Sequence, residues 1–166
     1  MESLIMDILN SITIPLNYKR ANMSGIKRIG SGKDNRIYGN PIRSVTMGVV
    51  RDWKTGGKMV STFTKHNEQL WELLCEYGQL ITDIPFTSIC INHNTIAEPH
   101  QDKHNQGVSC IVGIGNYTGG ELVVFYENGE KIVDIHNKPY TFDGSKYIHW
   151  SLPFEGNRYS LIFFVG

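Results

Sequence analysis

Two stretches of the chain carry the strongest indication of its fold. The first runs from Pro99 to Gly115, PHQDKHNQGVSCIVGIG, and the second from His149 to Val165, HWSLPFEGNRYSLIFFV. Both contain short apolar runs rich in β-branched and aromatic side chains, which favour buried β-strands. Histidine precedes each run, as His100-Gln101-Asp102 in the first stretch and as His149 in the second. We therefore expect two strands of one sheet structure with a cluster of metal-binding side chains beside them.

The rest of the chain after Pro85 also alternates as β structure does, and clusters of Gly, Asn and Asp punctuate it as turns. The predicted strands are Phe86–Asn92, Val108–Ile114, Glu121–Tyr126, Glu130–Ile135, Tyr140–Phe142, Ile148–Pro153 and Arg158–Phe164, with turns at 117–120, 127–129, 143–144 and 155–157. Seven or eight short strands at this spacing are typical of a barrel or jelly roll. The sequence therefore predicts a mainly β (α+β) fold of cupin-like architecture.

The N-terminal half has a different pattern. Apolar residues at helical spacing predict an amphipathic helix over Ser3–Ile14 and a second over His66–Ile81. Arg43–Trp53 is predicted as a strand that continues through a hairpin turn into Met59–Thr62. The polar stretch Asn17–Asn40 fits either a mobile loop or a substrate lid, and its periodicity does not decide between the two.

Length and composition bound the architecture. A chain of 166 residues is long enough to bury a core as one domain, here with 1–83 as a helical and basic region and 84–166 as the β core. No run approaches the length of a membrane span, so we expect a soluble intracellular protein of the cytoplasm or nucleus, without a membrane partner. The three cysteines lie in apolar stretches without a Cys-x-x-Cys pair, which favours buried free thiols.

The net charge of zero hides an asymmetry. Residues 1–60 hold ten Lys/Arg against four Asp/Glu, a balance of +6, and residues 61–166 hold six against twelve, a balance of −6. The basic residues concentrate between Lys19 and Lys58 and are interleaved with Tyr38 and Trp53. Basic and aromatic side chains together can bind nucleic acid through phosphates and stacked bases. The segment 17–58 is therefore a candidate contact for DNA or RNA, and a solvated basic loop is the alternative.

The histidines and the aspartate point to a specific metal chemistry. His-x-Asp followed by a distant His is the sequence form of the facial triad of two histidines and one carboxylate, which holds Fe(II) and leaves coordination positions open. Side chains two residues apart on a strand share one face, so His100 and Asp102 can point into one barrel mouth. His149 follows after four predicted strands. Structural zinc would require a fourth protein ligand.

Arg158 and Ser160 add a second element to this candidate site. Arg158 heads the last apolar strand, and an inward arginine in such a place needs an anionic partner. A guanidinium beside the metal can clamp a carboxylate with its planar fork, and the distal carboxylate of 2-oxoglutarate would be such a partner. Ser160, on the same strand face, could donate a further hydrogen bond to it.

The chain from about Phe86 to the end resembles the Fe(II)/2-oxoglutarate-dependent dioxygenases. Among their branches it is most similar to the one holding the ten-eleven-translocation 5-methylcytosine oxidases and the thymine hydroxylases of base J synthesis, with related small proteins in algae, fungi and viruses. The resemblance covers roughly half the chain and rests on Asn92-His93-Asn94, His100–Asn105, Gly119–Leu122, Phe142-Asp143-Gly144, His149-Trp150 and Pro153–Ser160.

This resemblance implies a double-stranded β-helix, with one or two supporting N-terminal helices, that binds Fe(II) through His100, Asp102 and His149. It implies 2-oxoglutarate and O2 as co-substrates, with the keto acid held by Arg158, Ser160 and, as a further candidate, Asn92. A viral origin is left open. The expected reaction is hydroxylation of a C–H bond with release of succinate and CO2.

Two substrates fit this reaction. One is the methyl group of a thymine or 5-methylcytosine-type nucleobase, favoured by the basic segment and by the branch resemblance. The other is a protein side chain, as a prolyl or lysyl hydroxylase would take, favoured by small size and neutral net charge. A degenerate β-helix acting as a binding module is the remote alternative, because such a protein would be expected to have lost a ligand or the arginine.

Overall fold

A computed structural model describes residues 1–17 and 42–166, together with the backbone alone of 27–29 and 37–39. The chain contains three helices and twelve strands within these residues, most of the strands following the last helix. In chain order they are α1 Glu2–Ser11, β1 Leu16–Asn17, β2 Lys27–Ile29, β3 Ile37–Gly39, β4 Ile42–Arg51, β5 Lys58–Val60, α2 Thr62–His66, α3 Glu68–Ile81, β6 Ser88–His93, β7 Gln106–Gly119, β8 Leu122–Tyr126, β9 Gly129–Val133, β10 Tyr140–Phe142, β11 His149–Ser151 and β12 Phe154–Val165.

The large sheet is antiparallel, in the order β1-β4-β6-β12-β7-β10, with β5 paired to the end of β4. Strands β12 and β7 form its longest pairing, from Phe154 opposite Gly119 to Val165 opposite Gln106. The alternation along these strands gives the sheet two different faces. On β12, Tyr159, Leu161 and Phe163 lie in the core cluster shared with the helices, whereas the residues between them face the opposite side.

The small sheet has the order β11-β8-β9. His100 adds to it by an antiparallel bridge with His149, in which each residue's N–H donates to the other's carbonyl oxygen. The segment 97–100 therefore runs beside β11 as an irregular fourth strand of the small sheet. A second core cluster lies between the two sheets and contains Ile111, Leu122, Val124, Ile135 and Phe142. Two antiparallel sheets enclosing a common interior form the predicted jelly roll, so the predicted fold class is confirmed.

Helices α1 and α3 cover the outer face of the large sheet. Their buried side chains pack against β6, β7 and β12, and they are Ile5, Leu9, Leu70, Leu74 and Tyr77. Gly78 lets α3 approach closely, because a Cβ there would lie 2.6 Å from the ring of Phe163. The Tyr159 hydroxyl donates to the Leu9 carbonyl oxygen at 3.2 Å and joins α1 to β12. The helices thereby hold rigid the strands that carry the site.

The observed helices differ from the predicted ones at their ends. The helix expected over His66–Ile81 begins at Glu68, because Asn67 has non-helical backbone angles and separates it from the one-turn helix α2. Ser61 caps α2 by accepting a hydrogen bond from the Thr64 N–H. Leu80, which helical spacing places in one apolar stripe with Tyr77 and Ile81, is 72% exposed. The rest of this stripe packs against the sheet, Ile81 included.

Two predicted turns are instead parts of the β12–β7 ladder. Residues 154–157 pair with residues 116–119, with Gly156 opposite Tyr117. Gly156 has φ +111°, and a Cβ there would lie 2.3 Å from the Asn116 carbonyl oxygen. Glycine at 156 therefore allows the two paired backbones to approach closely. Composition alone does not distinguish such a glycine from one in a turn.

No helix in the described ranges is long and apolar enough to cross a bilayer. The predicted loop or lid Asn17–Asn40 lies, except for Asn17 and the backbone of β2 and β3, outside the described residues. The same holds for most of the basic segment, including Lys19, Arg20, Lys33 and Arg36, and for the side chains of Lys27, Arg28 and Tyr38.

Candidate metal centre

The structure brings His100, Asp102 and His149 together between the two sheets. Their candidate ligand atoms all lie within 4.8 Å of one another. His149 begins β11 and His100 bridges to it, whereas Asp102 lies in the loop before β7. His100 and Asp102 thus meet at one mouth, although Asp102 lies outside any strand. The Asp102 N–H donates to the Gly144 carbonyl oxygen at 2.8 Å, and this bond places the carboxylate instead.

Hydrogen bonds fix the orientation of both histidine rings. His100 Nδ1 lies 2.6 Å from the Glu98 carbonyl oxygen, and His149 Nδ1 lies 2.9 Å from the Tyr147 carbonyl oxygen. A carbonyl oxygen can only accept, so each Nδ1 carries a proton and donates it. In the neutral ring each Nε2 then presents a lone pair to the interior. Metal-binding histidines are commonly held in this way by a backbone carbonyl.

The inward groups are the two Nε2 atoms and the Asp102 carboxylate, and all of them are hydrogen-bond acceptors when the rings are neutral. His100 Nε2 lies 3.5 Å from Asp102 Oδ1, and His149 Nε2 lies 3.2 Å from Asp102 Oδ2. Acceptors at such distances repel unless a cation lies between them. Protonated histidines would satisfy the carboxylate, and so would a divalent metal ion bound by all three. The donor set therefore fits a metal ion that prefers imidazole and carboxylate ligands.

The pKa of Asp102 reflects this environment. Burial by itself raises the pKa of the carboxyl, but in the metal-free centre, where the two rings can donate to the carboxylate, the hydrogen bonds and charges of His100 and His149 outweigh burial and hold the pKa well below its usual range. The carboxylate is consequently ionised at neutral pH, as a metal ligand must be.

Coordination room remains beside the triad. The cluster contains three protein ligands within the described residues, and the Asp102 side chain keeps 31% of its surface exposed. A structural zinc site is closed by a fourth protein ligand, whereas three ligands on one side leave positions for small molecules. Gly144 lines this centre, where a Cβ would lie 3.1 Å from His149 Cε1 and 3.3 Å from Asp102 Oδ2. A larger residue at 144 would push on two ligands together.

A cavity extends from the triad into the barrel. The inward residues of β12 line it in order, first Arg158, then Ser160, then Ile162. The metal-binding loop joins β7 at Gln106, the first residue of that strand. Arg158 pairs with Gly115, which lies nine residues further along β7. The cavity is therefore cationic at its inner end, apolar along Ile111 and Ile162, and metal-binding toward its mouth.

Arg158 is buried in this cavity without a counter-ion. It is 3% exposed, and no carboxylate in the described ranges lies within the 4.0 Å of an ion pair. Two of its nitrogens donate to backbone, Nη2 to the Gly120 oxygen at 3.2 Å and Nη1 to the Thr95 oxygen at 3.5 Å. Burial lowers the pKa of the guanidinium, as desolvation of a cation does. Its Nε has no hydrogen-bond partner in the described residues.

Ser160 and Asn92 lie side by side on the neighbouring strands β12 and β6. Asn92 Nδ2 donates to Ser160 Oγ at 3.3 Å, and Ser44 Oγ donates to Asn92 Oδ1 at 2.7 Å. Because Ser160 accepts from the amide, its own hydroxyl proton is directed elsewhere. Both residues are almost fully buried and both line the cavity, next to Arg158. The structure therefore brings together all six candidate residues of the sequence analysis.

Other lining residues were missed in the sequence. Ser109 is 2% exposed, lies opposite Phe142 in the strand register, and has an Oγ without a hydrogen-bond partner in the described residues. Thr95 and Trp150 also line the cavity. Ser109 could have been found as the polar residue two positions before Ile111 on the inward face of a strand. Nothing in the local pattern indicated that Trp150 lines the cavity, because alternation along a strand places it on the face opposite His149.

Two of the four histidines outside the triad, His93 and His136, have other partners. His93 Nε2 lies 2.6 Å from Asn157 Oδ1, and His136 Nε2 lies 2.8 Å from the Gly115 oxygen. None of the three cysteines forms a disulfide, and Cys90 and Cys110 are buried. These residues therefore add no ligand to the triad, and the expectation of buried thiols outside disulfides holds for two of the three.

Comparisons with known proteins bear on the fold. No protein-family model matches the chain, and no curated protein matches it. An oxidoreductase of the 2OG-Fe(II) oxygenase family from Burkholderia pseudomallei is similar in structure, with a TM-score of 0.61 and 16% identity over 98% of this chain and 77% of that chain. NgTET1 in complex with 5mC DNA gives a TM-score of 0.51 and 16% identity over 74% of this chain.

The match to NgTET1 spans 60% of the length of that chain. A prolyl-4-hydroxylase from Pseudomonas putida matches with a TM-score of 0.49, 18% identity, and coverage of 98% of this chain and 84% of that chain. At identities this low, structural likeness identifies a fold and leaves activity to the site itself. The chain therefore has the double-stranded β-helix fold of the 2OG-Fe(II) oxygenases.

Proposed function

We propose that this protein is an Fe(II)- and 2-oxoglutarate-dependent dioxygenase that hydroxylates a C–H bond. The observation that carries the proposal is the pairing of two features in one cavity. An open centre of His100, Asp102 and His149 lies at its mouth, and the buried cation of Arg158, without a counter-ion in the described residues, lies at its inner end. A keto acid that binds metal at one end and carries a carboxylate at the other satisfies both.

The metal would be held by His100 Nε2, His149 Nε2 and the Asp102 carboxylate. Bound Fe(II) would supply the coupling of O2 reduction to decarboxylation of the keto acid and to hydroxylation of the substrate, with succinate and CO2 as the other products. The chain's own contribution is positional. The carbonyl oxygens of Glu98 and Tyr147 keep both Nε2 atoms directed inward, and the Gly144 carbonyl oxygen holds the backbone of Asp102 in place.

Co-substrate binding would fall to the inner wall. Arg158 would bind the distal carboxylate of 2-oxoglutarate through its unpartnered Nε and the edge of its fork that faces the cavity. Ser160 would donate its hydroxyl proton to the same carboxylate, and Asn92 would hold Ser160 in place through its amide. Ile111 and Ile162 would exclude water from the methylene carbons between the two ends.

For the substrate we propose the methyl group of a thymine or 5-methylcytosine-type nucleobase. The excess of basic residues in 1–60 supports this choice, as does the sequence resemblance to the nucleobase-oxidising branch. NgTET1, whose structure was solved in complex with 5mC DNA, is a protein of similar fold that binds such DNA. The proposal that segment 17–58 binds DNA or RNA rests on the sequence, since most of its side chains lie outside the described residues.

Hydroxylation of a protein side chain is the second candidate function. The same cavity would serve it, because nothing in the metal or co-substrate arrangement depends on the class of substrate. The inactive binding module is disfavoured, because an inactive descendant has no reason to keep three converging ligands and a desolvated arginine.

A screen for substrate-stimulated succinate release tests the proposal. Purified protein is supplied with Fe(II), 2-oxoglutarate and O2, and then with single- and double-stranded oligonucleotides containing thymine or 5-methylcytosine, or with prolyl and lysyl peptides. Stimulation by an oligonucleotide, with a product heavier by one oxygen atom, supports the nucleobase hypothesis. Stimulation by peptides alone transfers the function to protein hydroxylation. Absence of 2-oxoglutarate turnover in every arm contradicts the oxygenase proposal.

A further inference from the structure

A groove on the outer surface lies against the chain that follows Asp102. One wall is the β4–β5 hairpin, with Arg51, Trp53 and Met59, and the other is the chain at 104–106. His104 follows Asp102 by two residues, and the Asn105 N–H donates to the Asp102 carbonyl oxygen at 3.0 Å. The second wall is therefore continuous with the loop that carries a metal ligand.

Strand register shows that the groove and the metal centre share one end of the barrel. Val165 pairs with Gln106, where the metal-binding loop enters β7, and Phe164 pairs with Ser88 at the start of β6. Ser88 in turn pairs with Gly48, three residues before the end of β4. The hairpin therefore projects from the end of the large sheet that lies nearest to Asp102. Arg158 belongs to the opposite end of the same strands.

Trp53 is the most exposed large apolar side chain of the described residues, at 79%. The guanidinium carbon of Arg51 lies 4.9 Å from the centroid of its ring, which leaves the other face of the indole open. An indole that contacts so little of its own chain is not held by the core. A flat aromatic face beside a cation suits a stacked planar ligand.

The charge of the groove selects an anionic partner. Its lining contains Arg51 and Lys58 and, in the described part of the chain, no Asp or Glu side chain. Lys54 and Lys103 are exposed beside it. Lys58 Nζ donates to the Gly166 oxygen at 2.8 Å, which fixes the hairpin to the end of β12.

The nearby carboxylate of Asp52 does not oppose this charge from within the groove. Its Oδ1 accepts from the Lys54 N–H at 2.9 Å and its Oδ2 accepts from Thr55 Oγ1 at 3.1 Å. Both oxygens are therefore directed into the hairpin's own turn. The outward side of the hairpin keeps the positive charge.

We propose that this groove binds a single-stranded stretch of nucleic acid, with one base stacked on Trp53 and its phosphates near Arg51 and Lys58. The proposal rests on the proposed function and deepens it by stating where the polymer lies. A base can stack on the indole only when it is free of its own duplex stack, so the occupant is a single strand or a locally opened one. From this groove the chain of the polymer passes the 103–106 loop and presents a neighbouring base to the metal centre.

The test is fluorescence anisotropy of labelled single-stranded oligonucleotides, about twelve nucleotides long, with protein loaded anaerobically with Fe(II) and 2-oxoglutarate. We expect Trp53→Ala to raise the Kd at least about fivefold and Trp53→Phe to restore most of the affinity, because any aromatic face stacks a base. Leu80→Ala is the matched control, since Leu80 is 72% exposed on α3, outside the groove, and should bind as the wild type does. Thermal melting checks that each variant is folded.

Salt dependence provides the second measurement. Arg51→Gln with Lys58→Gln should lower the slope of log affinity against log salt by about 1.4, because each single-strand phosphate that is no longer neutralised removes about 0.7 from the slope. Lys138→Gln, which removes one positive charge outside the groove at an exposed i,i+4 pair with Asp134, should leave the slope unchanged.

The outcomes separate this proposal from the oxygenase proposal. Wild-type affinity in folded Trp53→Ala, or an unchanged slope in the double variant, overturns the groove assignment, as does wild-type binding of peptides in place of oligonucleotides. Substrate-free conversion of 2-oxoglutarate to succinate by the wild-type protein is measured in parallel. If that turnover is present while the groove variants bind normally, the groove proposal fails alone. If 2-oxoglutarate turnover is absent both without substrate and with every substrate tested, while Trp53→Ala loses oligonucleotide binding, the oxygenase proposal fails alone.

Discussion

Replacing Arg158 by methionine should weaken 2-oxoglutarate binding strongly while it changes the stability of the unliganded protein little. Methionine replaces the apolar stem of the arginine with a stem of similar length and removes the charged fork. The fork is 3% exposed and has no carboxylate partner in the described residues, so its charge is desolvated and uncompensated until a ligand binds. The substitution therefore separates ligand binding from structural support.

The expected magnitudes follow from these contacts. Removing one partner of a desolvated charge pair costs about 2–5 kcal/mol of binding, and each 1.4 kcal/mol is tenfold in Kd, so the Kd for 2-oxoglutarate should rise about 30-fold or more. In the unliganded protein the hydrogen bonds to the Gly120 and Thr95 oxygens are lost, but an unpaired buried charge is removed as well. These effects oppose each other, and the unfolding free energy should change by less than about 2 kcal/mol.

Titration calorimetry of 2-oxoglutarate into the anaerobic Fe(II)-loaded protein measures the first quantity, and urea unfolding of the unliganded protein measures the second. Arg43→Met is the matched control. Arg43 lies on β4, donates from Nη1 to the Ile14 oxygen at 3.2 Å, and does not line the cavity. Its loss should reduce stability and leave the affinity for the keto acid unchanged.

A Kd for 2-oxoglutarate within about threefold of the wild type in folded Arg158→Met would refute this reasoning. Another cation would then hold the co-substrate, and Arg158 would be a structural residue of the barrel. A large loss of stability with unchanged affinity would lead to the same conclusion.

Four further outcomes are expected. Asp102→Ala should abolish Fe(II) binding and turnover while its circular dichroism and melting stay near wild type, because the core is built from other residues; metal binding by dialysis and atomic absorption checks this. Gly120→Ala should weaken 2-oxoglutarate binding in calorimetry, since Gly120 has φ +70° and a Cβ there would lie 2.7 Å from Arg158 Nε. Ser109→Ala should leave the unliganded protein as stable or more stable by up to about 1 kcal/mol in urea, because it removes a buried hydroxyl without a partner in the described residues. Burial raises the pKa of the Cys110 thiol, so the native protein should resist iodoacetamide at this residue near neutral pH, with rapid labelling after unfolding, as peptide mass analysis would show.

Local pattern sufficed for several parts of this structure. The period of two in β6, β7 and β12 places alternate residues on opposite faces of a strand, so the apolar set Leu161 and Phe163 and the polar set Arg158 and Ser160 separate without tertiary information. The helical stripe of α3 was likewise readable, except at Leu80. Such features depend on neighbours within a few residues.

Other features depend on residues far apart in the chain. Asp102 lies outside any regular strand and is placed by the carbonyl oxygen of Gly144, a residue distant in sequence. The strands β7 and β12 continue through Tyr117 and Gly156, where composition predicts turns, because two distant backbones approach closely enough to pair. Ser109 is buried beside the cavity because its strand pairs with β10, where Phe142 lies opposite it.

The chemistry expected of this protein could be inferred from the amino-acid order alone, because the identity and spacing of two histidines, an aspartate and an arginine limit what they can bind. Folding was needed to show that all of them meet in one cavity, that the arginine meets no counter-ion among the described residues, and that an exposed tryptophan lines a groove against the chain that follows Asp102. Ligand preference is a property of side chains, which the sequence states directly. Distance, burial and the absence of a partner are properties of surfaces brought together by folding, and no local stretch of sequence carries them.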